Sequence, residues 1–586
     1  MDALTNMDVL RALDSMILSV SGWRGIFALS GDENDPTGEV KPEFLALAAL
    51  AADVFADYLH GLFPGEMLPI TIGKDTRPTG GAIARAVLGT LLARNIPCEY
   101  TGTAAIPEII AWSRGRGGFV YVSASHNPIG HNGLKFGVRG GGVLAGGEAA
   151  KLISLFRASC SRPDAADRAL FLLGQCEGEQ CARIFCAPEK TKSWVLRSYL
   201  NFVRPSAKRK APILPRRIGI GVDFNGSARC VSIDKALLKS MGIHVFAIND
   251  RPGEIVHGII PEGKNLEPAA AFLEALRSGS APGFPGKHGE AGFAYTCDCD
   301  GDRGNLVYFD EAASRARILS AQEVFALSVL GELSRLRGTQ KTAVVCNGPT
   351  SMRIDEIARV FGAQVFRAEA GEANVVGLAQ KKRRGGYRVK ISGEGSNGGS
   401  IVFPSKVRDP LNTILAIVKL LFGSGFKRWC ALSGQGHKYR ERYTLADIMG
   451  TLPVFATTGV TEERASLVLR ETDQGAIKGR FQVEFEAWWE EHREELLRVY
   501  GIASWTAIST NGMTERRGIS DFSLSGTGGL KILFSDSRGE ALAFMWMRGS
   551  ATERVFRILC DARNSPALES FLLSEERRLL LKANPS

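Results

Sequence analysis

The sequence predicts an α/β protein of four domains, three of them α/β and the last α+β, on three observations. The chain has 586 residues, and at roughly 150 residues per domain this length corresponds to about four domains. Short apolar runs are followed by amphipathic helical patterns at three places. Hydrophobic residues make up 45% of the chain and charged residues 23%, which suits several buried cores and excludes wholesale disorder, collagen and a disulfide-stabilised miniprotein.

The three strand-and-helix patterns define the order of the predicted elements. The runs "LPITIGKDTR", "RRIGIGVDF" and "TAVVCN" predict strands, and each precedes an amphipathic stretch, "GAIARAVLGTLLARN", "VSIDKALLKSMG" and "MRIDEIARVFG" respectively. Strands that alternate with helices predict parallel sheets with helices packed on their faces. After Trp429, two helical patterns, Glu462 to Asp473 and Phe481 to Tyr500, precede a strand-rich end, which predicts the α+β domain.

Polar connections set the predicted domain boundaries. The stretch "VRPSAKRKAPILPRR" at 203–217 holds three prolines and many basic residues, which favours an exposed connection over a packed element or a nucleic-acid-binding segment. A fainter boundary lies near Ala312 to Leu319. We therefore predict domains at the following four ranges: 1–195, 196–315, 316–440 and 441–586.

Charge, cysteine content and hydropathy bear on the partners and the compartment. The chain has 72 Lys and Arg against 62 Asp and Glu, a net charge of +10, which suits anionic small ligands as well as nucleic acid. An odd number of cysteines, 11, and a first segment without a basic end predict a cytoplasmic protein. Asp53, Asp57 and His60 interrupt the most apolar stretch, Phe44 to Phe63, so we predict an amphipathic helix and no membrane partner.

Two groups of cysteines raise the question of a soft metal ion. Four cysteines lie between Cys160 and Cys186 at wider intervals than zinc pairs usually show, so we expect a surface insertion there. Cys297 and Cys299 flank carboxylates, and alternation along a strand predicts that both thiols point away from them.

The strongest local signal is "CDCDGDRGNLVYF", in which Asp298, Asp300 and Asp302 alternate directly after an apolar run. Carboxylates at alternate positions of an extended chain point the same way, and such a concentration of charge favours a bound divalent cation of the hard type. An EF-hand is excluded because Arg303 stands where its glycine would be and Phe309 where its glutamate would be. A solvated acidic turn is the alternative.

The second signal is "YVSASHNPIGHNGLKFG", where a strand-like run ends in Ser125 and His126. Neighbouring residues of an extended chain point to opposite faces, which argues against a direct Ser-His couple and hence against a hydrolase triad. A turn held by Asn127 and Pro128 is the alternative interpretation.

Two glycine-bearing loops complete the set. In "SGEGSNGGSIVFP", Glu394 lies between glycines, which suits close backbone approach to a polar ligand and a carboxylate that accepts sugar hydroxyls. The loop "RGSATERVFR" from Arg548 carries arginines and hydroxyls that suit an oxyanion. A Walker-type phosphate loop is absent from the sequence, and "SGTG" at Ser525 to Gly528 contains no basic residue.

Taken together and in this order, these four loops resemble the α-D-phosphohexomutase family, the phosphoglucomutases and phosphomannomutases. "SGWRG" at Ser21 to Gly25 and the connecting stretches "IIPEGKNLEP", "NGPTS" and "RAEAGEANVV" also resemble family segments. The resemblance covers nearly the whole chain. It implies a heart-shaped molecule with an active site in a central cleft, three α/β domains with mixed sheets, and a C-terminal α+β domain.

The resemblance also implies a role for individual residues. Ser125 would carry the phosphoryl group, and Asp298, Asp300 and Asp302 would hold Mg²⁺ together with an oxygen of that phosphoserine. The residues around the transferring phosphoryl group would be Arg24, His126, Lys135 and Arg303, with His126 and Lys135 as the two candidate proton-transfer groups. The substrate-binding residues would be Ser21, Glu394, Ser396 and Asn397 near the sugar, and Arg548, Ser550, Thr552 and Arg557 at its distal phosphate.

The implied activity is a Mg²⁺-dependent interconversion of hexose 1-phosphate and hexose 6-phosphate, of glucose or mannose, with glucose 1,6-bisphosphate or a related hexose bisphosphate as activator. Alternatives within the class are a phosphoglucosamine mutase and a phosphopentomutase. Alternatives outside it are a phosphosugar-binding protein with little activity and a metal-dependent phosphohydrolase. The expected partner is a small phosphosugar, with no nucleic acid or membrane, for a monomer or dimer.

Two loops depart from the family pattern. Family phosphate loops read closer to Arg-Pro-Ser-Gly-Thr-Glu-Pro, whereas Gly549, Ala551 and Arg554 stand at the first proline, the glycine and the second proline. Many family members carry a histidine in the sugar loop, where Gly398 lies in this chain.

Overall fold

The computed structural model describes residues 4–207, 218–396, 398–471, 473–549 and 555–584. The described chain forms two compact units. The first comprises 1–309, 313–318 and 404–412, and the second 310–312, 319–403 and 413–586. The sheets of the described residues number four, which confirms the predicted mixed α/β class.

The first sheet lies in the first unit and runs in the order β1-β2-β6-β5-β3-β4. Strands β3, β4 and β5 are parallel, and β1, β2 and β6 pair antiparallel. The strands are β1 (Ile17–Ser19), β2 (Gly22–Ile26), β3 (Ile70–Lys74), β4 (Cys98–Thr103), β5 (Gly118–Val122) and β6 (His131–Gly137). The helices are α1 (Asn6–Ser15), α2 (Pro42–Leu62), α3 (Gly80–Ala93), α4 (Ile106–Ser113), α5 (Gly146–Cys160), α6 (Ala165–Gly174), α7 (Glu179–Phe185) and α8 (Glu189–Ala207).

Helix α2 confirms the predicted helix. It is the one described helix long and apolar enough to cross a membrane, and 72% of its most apolar window is buried inside the protein. Asp57 and His60 are exposed, as an amphipathic helix requires. Asp53 differs from them because it is buried, where it pairs with Arg94 and, at 2.9 Å, with Arg168.

The segment from Cys160 to Cys186 is helical, with many exposed residues and three buried cysteines. It forms the end of α5, helices α6 and α7 and the turn between them. Cys160, Cys176 and Cys181 belong to the hydrophobic core that these helices build against α2 and α3. The thiols of these three cysteines pack as small apolar groups in a core. They have no need of the close spacing that zinc ligands show.

The second sheet, also in the first unit, runs in the order β11-β10-β9-β7-β8, with β7 parallel to both β8 and β9. Its strands are β7 (Ile218–Asp223), β8 (Ile243–Ile248), β9 (Ala291–Cys297), β10 (Gly304–Asp310) and β11 (Arg315–Ile318). Its helices are α9 (Asp234–Ser240) and α10 (Glu267–Ser278).

The third sheet lies in the second unit, in the order β13-β12-β14-β15, with β12 parallel to its two neighbours. Its strands are β12 (Thr342–Asn347), β13 (Gln364–Ala368), β14 (Arg388–Gly393) and β15 (Ser400–Val402). The associated helices are α11 (Ala321–Leu333), α12 (Arg353–Val360), α13 (Glu372–Arg384), α14 (Pro410–Phe422) and α15 (Gly425–Leu432).

The fourth sheet, in the same unit, is antiparallel throughout, in the order β16-β22-β21-β20-β18-β19, with β17 added to β22. The strands are β16 (Phe455–Thr457), β17 (Ser466–Val468), β18 (Ser504–Asn511), β19 (Thr514–Arg517), β20 (Gly529–Ser535), β21 (Ala541–Gly549) and β22 (Val555–Arg563). The helices are α16 (Leu445–Met449), α17 (Gln474–Tyr500) and α18 (Pro566–Ala583). The predicted α+β character of this region is confirmed.

The helix predicted from Glu462 to Asp473 is wrong. A single turn at Glu463–Ala465 is followed by strand β17, and α17 begins only at Gln474, capped by Asp473. The apolar residues that suggested helical spacing instead pair with β22, where Leu467 lies opposite Phe556.

Candidate active site

The serine of the second motif sits in a strained turn directly after β5. Ser125 is 1% exposed and has a φ of +55°. This left-handed conformation is uncommon for a residue other than glycine, and such strain concentrates at functional sites. The Ser125 amide donates to the Ser123 hydroxyl oxygen at 2.8 Å. The local backbone thus holds the hydroxyl at one fixed position.

The turn is held by Arg77, a residue that was not predicted to belong to the site. Its guanidinium donates to the carbonyl oxygens of Ser125 (2.8 Å), Asn127 (2.5 Å) and Pro128. The side chain is fully buried, and its Nε lies 3.2 Å from Asp75. One side chain therefore donates to three carbonyls of the turn, of which that of Pro128 also accepts from the His131 amide at 3.1 Å.

We expect Arg77→Met to destabilise the first unit by about 3–5 kcal/mol, because it leaves the Asp75 carboxylate buried and unpaired. Urea denaturation followed by circular dichroism measures the change. Arg85→Met is the matched control, since Arg85 pairs with Glu177 at 3.0 Å on the surface and such a pair contributes about 0–1 kcal/mol. Equal shifts of the two variants would contradict the role of Arg77.

The three aspartates of the strongest motif converge between β9 and β10. Asp298, Asp300 and Asp302 are buried, and each has a carboxylate oxygen within 4.8 Å of the others. The predicted convergence is thus observed, but not by strand alternation: β9 ends at Cys297, and the chain turns at Gly301 with a φ of +69°.

The carboxylate cluster lies directly beside the serine. The Ser125 hydroxyl donates to an Asp298 oxygen at 3.4 Å. The second Asp298 oxygen accepts from the amides of Asp302 and Arg303, both at 3.1 Å. Two motifs separated by 173 residues therefore form one site.

The donor set of this cluster fits Mg²⁺. One oxygen of Asp300 and one of Asp302 are buried without a hydrogen-bond partner among the described residues. Burial, and then the charges of Asp300 and Asp302, raise the pKa of the Asp298 carboxyl well above its usual range. Oxygen ligands and uncompensated negative charge are what a hard divalent cation requires.

The two cysteines next to the aspartates, Cys297 and Cys299, do not favour a softer ion than Mg²⁺. The Cys297 thiol lies 3.1 Å from the Ser227 hydroxyl, and the Cys299 thiol 3.4 Å from the Thr76 hydroxyl. Neither belongs to the carboxylate cluster, as predicted from alternation.

Cationic side chains surround the serine and the aspartates. Lys135 donates to Asp300 at 2.5 Å. Burial, and then the charge of Arg303, lower the pKa of Arg24 to about 10. The charge of Arg303, burial and the charge of Arg24 lower the pKa of His126 well below its usual value. The imidazole is therefore neutral at pH 7, while the arginines leave a positive environment that suits a phosphoryl group.

A further cation, Arg408, reaches the cluster from a distant part of the sequence. Its guanidinium donates to Asp302 at 2.9 Å. Burial alone would raise the pKa of Asp302, but Arg408, Lys135 and Arg303 outweigh it and lower that pKa. Nothing in the motif around Asp302 indicates this partner.

The next residue, Asp409, fixes the segment that carries Arg408. Its carboxylate accepts from Arg229 at 2.5 Å and from the Tyr199 hydroxyl at 2.7 Å. Arg229 also donates to the Gly301 carbonyl at 3.0 Å. The turn of the aspartate loop and the 404–412 segment are therefore held by the same buried guanidinium.

The predicted sugar loop lies in the second unit, after β14. One Glu394 oxygen accepts from the Gly371 amide at 2.7 Å and from the Asn347 amide group at 3.2 Å. Asn347 also donates to the Ser396 hydroxyl at 2.9 Å. Asn347 thus orients both predicted residues and was not singled out from the sequence, while the predicted Asn397 lies outside the described residues.

The predicted phosphate loop joins β21 to β22 in the same unit. Arg548 and Arg557 are directly opposite in the antiparallel register, so both guanidinium stems leave the same face of the sheet. Like charges at such positions repel each other, which favours an anion between them. Arg548 pairs with Glu369 at 2.7 Å. The predicted Ser550 and Thr552 lie outside the described residues.

Two further residues lie beside predicted cations: Ser21 contacts Arg24 in the first unit, and Lys478 is affected by the charge of Arg548 in the second. The Ser21 carbonyl accepts from Arg24 at 3.4 Å, while its hydroxyl lies 3.0 Å from that of Ser19. Lys478 of α17 is buried, and burial followed by the charge of Arg548 lowers its pKa to about 7. The structure thus brings Ser125, the three aspartates and Lys135 together in the first unit. In the second unit it gives separate contacts for the Glu394 loop and for Arg548.

Comparison with known proteins identifies the class. The family models described as phosphoglucomutase/phosphomannomutase, alpha/beta/alpha domains I and III, match residues 21–161 and 323–432. A phosphoglucomutase/phosphomannomutase of Thermococcus kodakarensis is 24% identical over 94% of this chain and 96% of its own. A phosphoglucosamine mutase of Sulfurovum sp. is 26% identical over 61% of this chain and 72% of its own.

A solved structure agrees at the level of the fold. The phosphoglucomutase/phosphomannomutase family protein of Burkholderia thailandensis aligns with a TM-score of 0.62 at 15% identity, over 97% of this chain and 98% of that one. The two matched domain models and the relative from Thermococcus kodakarensis all belong to the phosphohexomutase class. The chain is thus similar to the class that its sequence resembles.

Proposed function

We propose that the protein is a Mg²⁺-dependent phosphohexomutase that interconverts the 1- and 6-phosphates of glucose or mannose. The observation that carries the proposal is the buried Ser125 hydroxyl, 3.4 Å from Asp298 within the cluster of three carboxylates and its ring of cations. Phosphoryl transfer depends on positioning and charge neutralisation, and this arrangement supplies both.

In the proposed cycle Ser125 carries a phosphoryl group. The bond between the serine oxygen and phosphorus breaks, and a bond forms between phosphorus and the free hydroxyl oxygen of the hexose phosphate. The proton of that hydroxyl leaves to a base, for which His126 and Lys135 are the candidates. The resulting hexose 1,6-bisphosphate then returns its other phosphoryl group to Ser125. Free glucose 1,6-bisphosphate would restore the phosphoserine when it is lost.

Asp298, Asp300, Asp302 and an oxygen on Ser125 would hold Mg²⁺, which when bound neutralises charge on the transferring group. Arg24 and Arg303 would bind the remaining phosphoryl oxygens through charge-assisted hydrogen bonds. Lys135 and Arg408, each bonded to one aspartate, would keep the carboxylates in place between turnovers.

The second unit carries the other residues that we propose for substrate binding. Glu394 and Ser396 would bind sugar hydroxyls, with Asn347 orienting both. Arg548 and Arg557, with the predicted Ser550 and Thr552, would bind the phosphate that does not react, and Ser21 would contact the substrate from the first unit. We propose that the enzyme works in the cytoplasm as a monomer or dimer.

We expect Arg548→Gln to raise KM for the hexose phosphate about 10–100-fold with a smaller change in kcat, since a hydrogen bond to a charged group is worth about 1.5–3 kcal/mol. Initial rates over a range of substrate concentrations measure the split. Arg538→Gln, an exposed position in the hairpin between β20 and β21, is the control and should match the parent. A large loss of kcat at unchanged KM would place Arg548 elsewhere in the mechanism.

Phosphorus NMR tests the function as a whole. The protein is incubated with Mg²⁺, a trace of glucose 1,6-bisphosphate and, in separate samples, the 1-phosphates of glucose, mannose and glucosamine. A 6-phosphate signal establishes the mutase and its preferred sugar; glucosamine is included because the Sulfurovum relative is a phosphoglucosamine mutase. Inorganic phosphate alone would indicate a hydrolase, and no change in any sample would contradict the proposal.

A further inference from the structure

A second charged cavity lies in the second unit, between the fourth sheet and the elements α12 and β13. Its volume is about 310 Å³, within the range of small-molecule sites. Ile508 and Leu533 form part of its apolar wall. None of the described residues predicted for the mutase site lines it.

The side chains that line this cavity include one more cation than carboxylate. Nine side chains that carry charge line it, and four arginines each pair with a carboxylate, at distances between 2.5 and 3.4 Å. These pairs are Arg359 with Glu540, Arg367 with Asp355, Arg517 with Glu515, and Arg563 with Glu356. The ninth is Lys531, a cation without a carboxylate partner among the described residues.

Lys531 is buried at the wall of the cavity with its ammonium unsatisfied. The residue is 5% exposed, and its Nζ lies 4.0 Å from the centre of the Phe544 ring rather than against an oxygen of the described chain. The Nε atoms of Arg367 and Arg563 are also buried without an acceptor. Three cationic N–H groups without acceptors therefore belong to residues that line one cavity.

We propose that this cavity binds a small organic phosphate, with the phosphate on Lys531, Arg367 and Arg563 and the organic body against Ile508 and Leu533. A phosphate supplies an acceptor for the Lys531 ammonium and balances the one positive charge by which the lining cations exceed the lining carboxylates. Burial, and then the charge of Arg367, lower the pKa of Lys531 to about 7, against the opposing charges of Glu515 and Asp355. An anion would remove that penalty on the charged amine.

The lining of the cavity does not include Arg548 or Arg557, the described residues of the proposed phosphate loop. Lys531 pairs in register with Trp546, and Arg548 lies two residues further along β21. The Trp546 side chain is 4% exposed and stands between the two cations on this face of the sheet. The second unit would thus hold two anion sites, one for substrate and one for a different ligand.

Calorimetric titration of the full chain with glycerol 2-phosphate, at constant ionic strength, tests the proposal. An Arg548→Gln parent is used, so that the phosphate loop contributes little. We expect Lys531→Met in this background to weaken one binding event at least tenfold, Lys531→Arg to retain it, and Lys341→Met, at an exposed position, to match the parent. Unchanged binding by Lys531→Met, or acetate bound as tightly as glycerol 2-phosphate, would overturn the proposal.

A second experiment uses the unaltered protein, so that its result does not depend on whether a variant folds. Crystals grown without phosphate are soaked in selenate, and the anomalous signal locates the anion. A selenium peak within hydrogen-bond distance of the Lys531 ammonium supports the site. Peaks confined to the neighbourhood of Ser125 or Arg548 would overturn it and leave the mutase proposal untouched.

Discussion

Ser125→Gly is expected to lower mutase turnover by about four orders of magnitude or more, because it removes the oxygen that carries the phosphoryl group. Glycine is the preferred replacement because Ser125 has a φ of +55°, where a side chain is strained and glycine is not. A coupled assay for hexose 6-phosphate, with bisphosphate activator present, measures the loss. Incubation with bisphosphate labelled in its phosphoryl groups should label the parent and not the variant.

The control for this prediction is Ser113→Ala in α4, a buried serine whose hydroxyl donates to the Ile110 carbonyl at 3.3 Å. It should keep turnover within a few-fold of the parent. Retention of normal turnover by Ser125→Gly would exclude the phosphoserine cycle, whatever the fate of the other proposed residues.

Asp298→Asn is expected to lower kcat about a thousandfold or more at any Mg²⁺ concentration, because it removes one of the three charges that bind the cation. The change is nearly isosteric, and the amide oxygen can still accept from the Asp302 and Arg303 amides. The folded state without metal should therefore be as stable as that of the parent.

Thermal unfolding with and without Mg²⁺ separates a metal-binding role from a structural one. Mg²⁺ should raise the Tm of the parent, since a ligand that binds the native state stabilises it, and should raise that of Asp298→Asn much less. Asp250→Asn is the control, because Asp250 pairs with Lys235 at the surface of the same unit. An equal Mg²⁺ response in parent and Asp298→Asn would contradict the proposed site.

Short sequence patterns predicted those features that residues close together in the chain determine. The aspartates and Glu394 could be found because each occurs in a short, unusual stretch after a strand. The pattern from Glu462 to Asp473 predicted the wrong element because β17 depends on pairing with β22, about ninety positions later in the chain. Its apolar spacing suits either element, and tertiary pairing decides between them.

The partners that hold the site could not be predicted in this way. Arg77 and Asn347 act on loops 48 and 47 residues away, at Ser125 and Glu394. The sequence around an isolated arginine or asparagine does not indicate which distant group its side chain will hydrogen-bond. The burial of Cys160, Cys176 and Cys181 could not be predicted either, because it depends on how the helices pack rather than on the spacing of the cysteines.

The pairing of Arg408 with Asp302 has a consequence for how the protein is made. The arginine follows the aspartate by 106 residues, and its anchor Asp409 must meet Arg229 and Tyr199. At about 5–20 residues per second, a ribosome needs roughly 5–20 s to reach Arg408 after Asp302. During that interval the nascent first unit already contains all three aspartates but lacks one of their counter-charges, so the ion pairs of the aspartate loop can be completed only after the third sheet has been synthesised.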